Sequence, residues 1–367
     1  QRLMRVLEEK SLMNREIENL PEDAVLAERK EAGEALTRPE LSTLLGFAKI
    51  DLFNDLIESD VVDDPYFAAS LKDYFPDGMQ KDFASEIRNH PLRREIVATQ
   101  LTNDIINRGG STMAVRLEEE TGHSRGELAA AFTVATAVLG LDDIYSSLDA
   151  LDNKLDGALQ LKIYSRLQFI SRRKTAWFIT NGDFSKGLSK EIKAYQNGLN
   201  SYMKKVQLSQ TDEQKAQITA DMKELVDGGL PEKVALSLVN LMMKNEGLDV
   251  VKAARKSDLD VAGLTQVHNI IDDQLRLGAL IRATDHVPVL DVYDRWALNA
   301  VVSRIQGARR SLMVSIGHEA KGFDAWMDHK GLAVTRVKGA IDEIINGGEI
   351  GLSKLIVAVG QIDELSH

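Results

Sequence analysis

The positions of the 7 prolines constrain the fold of this 367-residue chain more than any other feature. Proline lacks a backbone N–H and its ring clashes with the preceding turn, so it is tolerated at the beginning of a helix and disfavoured inside one. Each proline can stand at or just before a helical pattern: Pro21, Pro39, Pro65, Pro76, Pro91, Pro231 and Pro288. No stretch alternates long enough to indicate a strand. The sequence therefore predicts an all-α fold, an irregular bundle of many short to medium helices with no significant sheet.

Two helix starts carry an explicit signal. Thr37 with Glu40, and Ser124 with Glu127, have the capping-box spacing, in which side chains and backbone donors satisfy each other. Apolar periodicity extends this to a full set of helices. It predicts helices over 2–19, 22–32, 38–58, 65–73, 78–89, 91–108, 112–121, 125–138, 142–150, 156–180, 186–206, 212–227, 231–244, 249–255, 259–277, 289–316, 320–329, 332–346 and 352–365.

The predicted helix over 91–108 has an unusual distribution of side chains. Pro91 fits the first helical position, and two glycines follow the last turn, where a left-handed cap is expected. One face is apolar, whereas the opposite face carries uncharged hydrogen-bonding residues: Thr99, Gln100, Asn103 and Asn107. This pattern predicts a helix surrounded by protein, with Asn103 and Asn107 largely buried and bonded to neighbouring elements. An ordinary half-exposed helix is the alternative.

Composition limits the classes of partner. The net charge of −11 disfavours nucleic acid and anionic membrane surfaces. The absence of cysteine excludes disulfides, thiolate catalysis and cysteine-bound zinc. No apolar run reaches transmembrane length and the first residues do not form a signal peptide, so a cytoplasmic location is expected. The chain begins in helical sequence without an initiator methionine, as a piece of a longer protein or a trimmed chain would.

Changes in composition along the chain predict three parts. Residues 1–181 form a helical core subdomain, and residues 182–287 hold a helical hairpin with connecting helices. Residues 288–367 are apolar helices expected to pack back on the core. The hairpin over 186–227 is rich in lysine and glutamine, so it should bury less surface and move more than the core.

Two acidic patterns are similar to known metal sites. Asp142 and Asp143 with Asp149 invite comparison with paired-aspartate magnesium sites, but Ser146 stands where a further carboxylate is needed; an acidic helix start is the favoured interpretation. Glu120 and His123 have the spacing of a di-iron motif. No second such motif occurs, and a glycine between the two residues favours an exposed helix cap instead.

Three further patterns are similar to binding sites for phosphate, metal or nucleic acid. The Gly182–Gly187 spacing is that of a phosphate loop, but Leu188 replaces the required lysine and no strand precedes it. The histidines His286, beside Asp285, and His318 and His329, with Asp328, fit a surface position better than a shared metal. Arg172, Arg173 and Lys174 beside Trp177 fit cations at a helix end, or an intersubunit salt-bridge site, better than a nucleic-acid patch.

These alternatives leave no catalytic, cofactor-binding or metal residue predicted in this chain. The residues singled out have structural roles only, and they belong to the first predicted capping box and to the helix over 91–108. They are Thr37, Glu40, Pro91, Gln100, Asn103 and Asn107.

The stretch from His90 to Arg108, HPLRREIVATQLTNDIINR, resembles a signature of the large bacterial NAD-specific glutamate dehydrogenases, in the region after their catalytic domain. Leu36–Leu41, continuing to Leu52, resembles the family's LTRPEL…AKI segment, and Arg116–Gly122 resembles its RLxEETG segment. The order of the three stretches also matches. The resemblance is close from about Leu20 to Gly126 and becomes general after Asn181. One departure is Gly109, where a bulkier residue is expected.

The resemblance implies a function for the whole enzyme. The family oxidises L-glutamate to 2-oxoglutarate and ammonia with NAD, and its nucleotide loop and catalytic lysine belong to upstream domains. No catalytic residue is therefore transferred to this chain. The fragment alone is expected to be inactive, without NAD, and to serve as scaffold, oligomerisation or regulatory region. Its expected partners are the upstream catalytic domain and further copies in a homo-oligomer. A stand-alone helical interaction module is the alternative.

Overall fold

A computed structural model describes residues 1–210, 212–319, 322–348 and 350–366, and these contain 19 α-helices and no strand. The all-α prediction is confirmed. The first helices are α1 Arg2–Glu9, α2 Asp23–Glu31, α3 Arg38–Ile57, α4 Ala68–Asp73, α5 Asp77–Asp82, α6 Ala84–Arg88, α7 Arg93–Gly109, α8 Met113–Thr121, α9 Arg125–Leu139, α10 Leu141–Asp149 and α11 Gly157–Asn181. The remaining ones are α12 Leu188–Ser209, α13 Asp212–Asp227, α14 Glu232–Ala254, α15 Val261–Leu275, α16 Leu277–Ala283, α17 Val292–His318, α18 Gly322–Asn346 and α19 Leu352–Ser366.

Three short 3₁₀ turns join these helices, at Asp60–Asp63, Pro65–Phe67 and Thr284–His286. Within the described ranges, no single helix has the length and hydropathy needed to span a membrane. The bent pair α9 and α10 meets both criteria only when its two halves are taken together across a 73° bend.

The chain divides into two compact units, residues 1–193 and 194–367, with the boundary inside α12. The three-part division at 181 and 287 stays a prediction, as does the mobility of the hairpin over 186–227. In the first unit, α9 is buried along nearly its whole length and packs on α11 and α3. In the second unit, α17 packs on α14, α15 and α19 around a core that includes Ile305, Leu312 and Ile341.

Two helices predicted in the first unit have the wrong extent, one at its C-terminal end and one at its N-terminal end. The helix predicted over 2–19 ends at Glu9, because Ser11 takes a left-handed φ of 56° and Leu12 N–H donates back to the Leu7 carbonyl. Such a left-handed residue closes a helix. Pro91 is not the first helical residue. His90 forms its own turn, accepting from Arg93 N–H at its carbonyl and from Leu92 N–H at Nδ1, so α7 begins only at Arg93.

Two helix breaks that were predicted at glycines in the second half of the chain are wrong. The residues predicted as two helices, 231–244 and 249–255, form the single helix α14, and the pairs 320–329 and 332–346 form α18. Gly247 lies inside α14, where a Cβ atom would come within 2.5 Å of the Tyr202 ring and 2.8 Å of Leu199. The glycine therefore marks a close approach of α12 to α14. Conversely, the helix predicted over 259–277 breaks at Arg276, whose φ is 54°.

Candidate functional site

The first unit contains a cavity of about 290 Å³, bordered by α4 and the 3₁₀ turn before it, by α7, by α9 and by the first turn of α10. Apolar side chains, including Phe67, Leu101 and Phe132, form part of its wall. The polar groups come mainly from α7. Gln100, Asp104 and Arg108 follow one another at intervals of four residues, which places them on one helix face directed at the cavity.

Gln100 is held in place from one side only. Its Nε2 atom donates to the Ser70 carbonyl at 3.1 Å, which connects α7 to α4. Its Oε1 atom is buried and has no hydrogen-bond partner in the described structure. A buried acceptor without a partner costs about 1–3 kcal/mol. The side chain therefore presents an unsatisfied acceptor at the wall of the cavity.

Arg108 lies between two carboxylates. It donates to Asp142 at the beginning of α10, and its Nη2 atom lies 3.9 Å from Asp104 Oδ1. Its guanidinium carbon is 4.9 Å from the centroid of the Tyr145 ring, which adds a cation–π contact. Burial raises the pKa of Tyr145 to about 12, so that ring stays neutral. These contacts fix the guanidinium against the wall.

Asp104 is half-exposed, with 53% of its side chain accessible. Partial burial of its carboxyl raises the pKa of Asp104, whereas the nearby Arg108 lowers it. Desolvation disfavours the charged form of an acid, whereas a nearby cation favours it. A further cation close to Asp104 would therefore stabilise its carboxylate form.

Two threonines of α9 line the same cavity. Thr133 Oγ1 donates to the Ala129 carbonyl at 2.8 Å, the usual local bond of a helical threonine. Thr136 is 6% exposed, and its Oγ1 atom has no hydrogen-bond partner in the described structure. The cavity thus offers acceptors and one pinned guanidinium. Such a set suits binding of a small polar ligand.

The predicted structural residues have mixed outcomes. The first capping box is present, because Thr37 N–H donates to Glu40 Oε2 at 2.7 Å and Glu40 N–H donates to Thr37 Oγ1 at 3.5 Å. The second, Ser124 with Glu127, is also present. Both follow from residue types and spacing alone, since the two members of a box lie three residues apart in the chain.

The prediction for the two asparagines of α7 is wrong. Asn107 is exposed and Asn103 is only half-buried, and neither side chain hydrogen-bonds to another described residue. Of the predicted stripe, only Gln100 hydrogen-bonds to a neighbouring element in the described structure. The stripe that faces the cavity includes Asp104 and Arg108 instead. Their spacing of four and eight residues from Gln100 is visible in the sequence, but which face would meet a cavity depends on α4, α9 and α10.

The acidic patterns fit local structural roles. Asp142 and Asp143 lie in the first turn of α10, as expected of an acidic helix start, and Tyr164 Oη donates to Asp149. The α8 helix ends at Thr121, and Gly122 takes a left-handed φ of 70°, so Glu120 and His123 do not share a helix face. Among the described residues, no three His, Asp or Glu side chains are grouped as a metal site would require.

The remaining patterns have internal partners. Leu188 N–H, at the end of the glycine loop, donates to Asp64 Oδ2 at 3.1 Å. His318 Nδ1 lies 2.7 Å from Asp258 Oδ2, whose hydrogen bond raises the pKa of His318. His318 ends α17, whereas His329 lies in the separate helix α18.

His286 is exposed on a 3₁₀ turn. The interpretation of residues 172–174 as cations at a helix end is wrong. These residues lie about two turns before α11 ends at Asn181, and Lys174 is buried.

The family model for the glutamate dehydrogenase C-terminal region matches residues 33–364. The chain is 28% identical to the NAD-specific glutamate dehydrogenase of Halomonas elongata, covering 100% of this chain and 23% of that protein. Identity is 29% to the Pseudomonas aeruginosa enzyme of the same name, with 86% and 19% covered, and 27% to that of Mycobacterium tuberculosis, with 97% and 22% covered.

The chain therefore spans about a fifth of the length of these curated relatives. The family match extends across both compact units and includes the three stretches whose resemblance was noted in the sequence. On this evidence the chain belongs to the family defined by the C-terminal region of glutamate dehydrogenase.

Proposed function

We propose that this chain is a helical, non-catalytic part of an NAD-dependent glutamate dehydrogenase, which converts L-glutamate to 2-oxoglutarate and ammonia. The observation that carries the proposal is the match over residues 33–364, together with relatives named as NAD-specific glutamate dehydrogenases that are several times longer. In this proposal NAD is bound elsewhere in the enzyme, and this chain supplies scaffolding, subunit contacts or regulation.

The architecture supports this division of labour. The familiar dinucleotide site lies at the edge of a parallel sheet beside a glycine-rich turn, and the described chain is helical throughout its regular structure. The cavity beside α7, at about 290 Å³, is at the lower limit for ligand pockets and is small for a dinucleotide. Its lining offers acceptors and a pinned arginine instead of a nucleophile with an adjacent base.

The surface supports a role in packing against other protein. Large apolar side chains are exposed in both units, including Tyr74 and Phe83 in the first and Leu290, Tyr293 and Trp296 in the second. Exposed aromatic side chains are enriched where proteins meet. The proposed partners are the catalytic domain of the same polypeptide and further copies of the enzyme in a cytoplasmic homo-oligomer.

Immunodepletion tests the proposal. An antibody raised against this chain is used to clear an extract of the cells that produce it, and NADH formation from L-glutamate is then measured. The proposal predicts that depletion removes this activity and that the captured polypeptide is several times larger than 40.6 kDa. Capture of a 40.6 kDa protein with the activity left in the extract would instead identify a stand-alone interaction module.

A further inference from the structure

From the cavity beside α7 we infer a binding site for a small organic cation, specifically a primary alkylammonium with a short apolar stem. The inference concerns a ligand that the glutamate dehydrogenase assignment does not specify. It depends on the charge of the lining, on unsatisfied acceptors and on the shape and polarity of the walls.

The lining of the cavity carries a net negative charge. The lining holds three carboxylates, those of Asp73, Asp104 and Asp142, against the single guanidinium of Arg108. All three acids are exposed, so they border the open side of the cavity. Arg108 is already engaged by Asp142 and by the Tyr145 ring. A cation entering this cavity meets a net negative lining, whereas an anion meets repulsion and an arginine that already has partners.

The cavity also holds oxygen atoms that can accept hydrogen bonds and have no partner in the described structure. Gln100 Oε1 and Thr136 Oγ1 are both buried without a hydrogen-bond partner in the described structure. Asp104 adds a carboxylate whose raised pKa reflects desolvation that its neighbour Arg108 only partly offsets. An ammonium group carries three N–H donors and no acceptor. In the proposed complex the Thr136 hydroxyl accepts one of these bonds, and the oxygens of Gln100 and Asp104 accept the others.

Apolar side chains in the cavity wall are suited to contact the apolar stem of the ligand. Phe67, Leu101 and Phe132 give the cavity an apolar part beside the polar groups of α7 and α9. Aromatic rings also attract a neighbouring cation through their π faces. The volume of about 290 Å³ suits a small molecule and is small for a whole nucleotide.

The test is isothermal titration calorimetry of the 367-residue chain with n-butylammonium chloride as the probe. Sodium butyrate serves as the probe of matched stem and opposite charge, and sodium chloride controls for ionic strength. We expect saturable binding of n-butylammonium in the millimolar range and none of butyrate. Absence of saturable binding, or binding of butyrate as tightly as n-butylammonium, would overturn the inference.

Two variants locate the site. Asp104→Asn removes the half-exposed charge and should weaken n-butylammonium binding about tenfold, as expected when a charge-assisted hydrogen bond is lost. Thr136→Val is nearly isosteric and removes a hydroxyl that has no partner in the fold, so the melting temperature should not fall while binding weakens. This separation distinguishes a ligand contact from a structural role.

The control is Asp221→Asn, an exposed acid on α13 in the other unit, which should leave the affinity unchanged. If both Asp104→Asn and Thr136→Val bind n-butylammonium as the unchanged chain does, any binding observed is an adventitious surface effect and the proposed site is wrong. Activity of the glutamate dehydrogenase plays no part in this readout, so the two proposals fail independently.

Discussion

Arg125 Nη1 lies 2.5 Å from Asp51 Oδ2, and both side chains are almost completely removed from solvent, with 2% and 3% exposed. The same guanidinium contacts Asp55 at 2.8 Å and Glu118 at 3.1 Å, while Lys10 Nζ reaches the other oxygen of Asp51 at 2.7 Å. The Asp51–Arg125 pair therefore joins α1, α3, α8 and α9 through charges that are 74 residues apart in the chain.

Removal of one partner of this pair should be costly. Arg125→Met leaves Asp51 buried with only Lys10 beside it, and we expect the free energy of unfolding to fall by about 3–5 kcal/mol. Urea denaturation followed by circular dichroism measures the loss. The control is Arg93→Met, which breaks an exposed ion pair with Asp63 in the same unit and should cost about 1 kcal/mol or less. Equal losses for the two variants would show that burial of the pair has no energetic consequence.

A second prediction concerns the approach of α12 to α14. Gly247→Ala places a methyl group where the Tyr202 ring is 2.5 Å away, so the variant should lose about 1–3 kcal/mol through overpacking. Gly339→Ala in α18, where nothing lies within 4 Å, should instead gain up to about 1 kcal/mol from helix propensity. Melting temperatures of the two variants should move in opposite directions, and a shared direction would refute the close packing at Gly247.

A third prediction follows from His268, which is 4% exposed in the core of the second unit. Burial, with the nearby charge of Arg309, lowers the pKa of His268 to about 4, from an ordinary value of 6.5. The folded state therefore holds this ring neutral, whereas the unfolded chain protonates it near pH 6.5. The contribution of His268 to the free energy of unfolding is therefore fully present above pH 6.5. It is lost as the pH falls towards 4, and the loss is on the order of 3 kcal/mol.

The measurement is the unfolding free energy at several pH values between 7 and 4, compared with that of His268→Gln. The variant should show a shallower loss of stability over this interval, because its side chain does not titrate. His329→Gln replaces an exposed ring on α18 and should keep the slope of the unchanged chain. A slope for His268→Gln identical to that of the unchanged chain would contradict the burial of a neutral histidine.

The helices were predictable where their signals are local. The capping boxes at Thr37 and Ser124 each determine a helix start from residues within one four-residue segment. The positions of the prolines predicted a helical fold without a sheet. Gly247 was misinterpreted as a break because its reason lies on another helix, in the ring of Tyr202. Ser11 and Arg276 end helices in left-handed conformations that their residue types do not favour, so the boundaries at α1 and α15 depend on tertiary structure.

The candidate site was only partly predictable for the same reason. The sequence drew attention to Gln100 but also predicted that Asn103 and Asn107, opposite the apolar face of α7, are largely buried, whereas Asn103 is half-buried and Asn107 is exposed. The cavity lining also includes Ser70, Thr136 and Asp142 from three other elements, which lie up to 42 residues from Gln100 in the chain. As a consequence, Asn103→Leu is now expected to change stability by less than about 0.5 kcal/mol, in contrast with the larger loss that burial would have implied. A thermal melt checks this value.

The central proposal is that this chain is part of a glutamate dehydrogenase and does not carry its redox chemistry. NADH formation from L-glutamate, followed by its absorbance in the presence of roughly millimolar NAD, tests it most directly. The isolated 367-residue chain and the complete polypeptide are assayed side by side. The account predicts NADH formation by the complete polypeptide and none by the isolated chain. NADH formation by the isolated chain, or a complete polypeptide that reduces no NAD with L-glutamate, would contradict it.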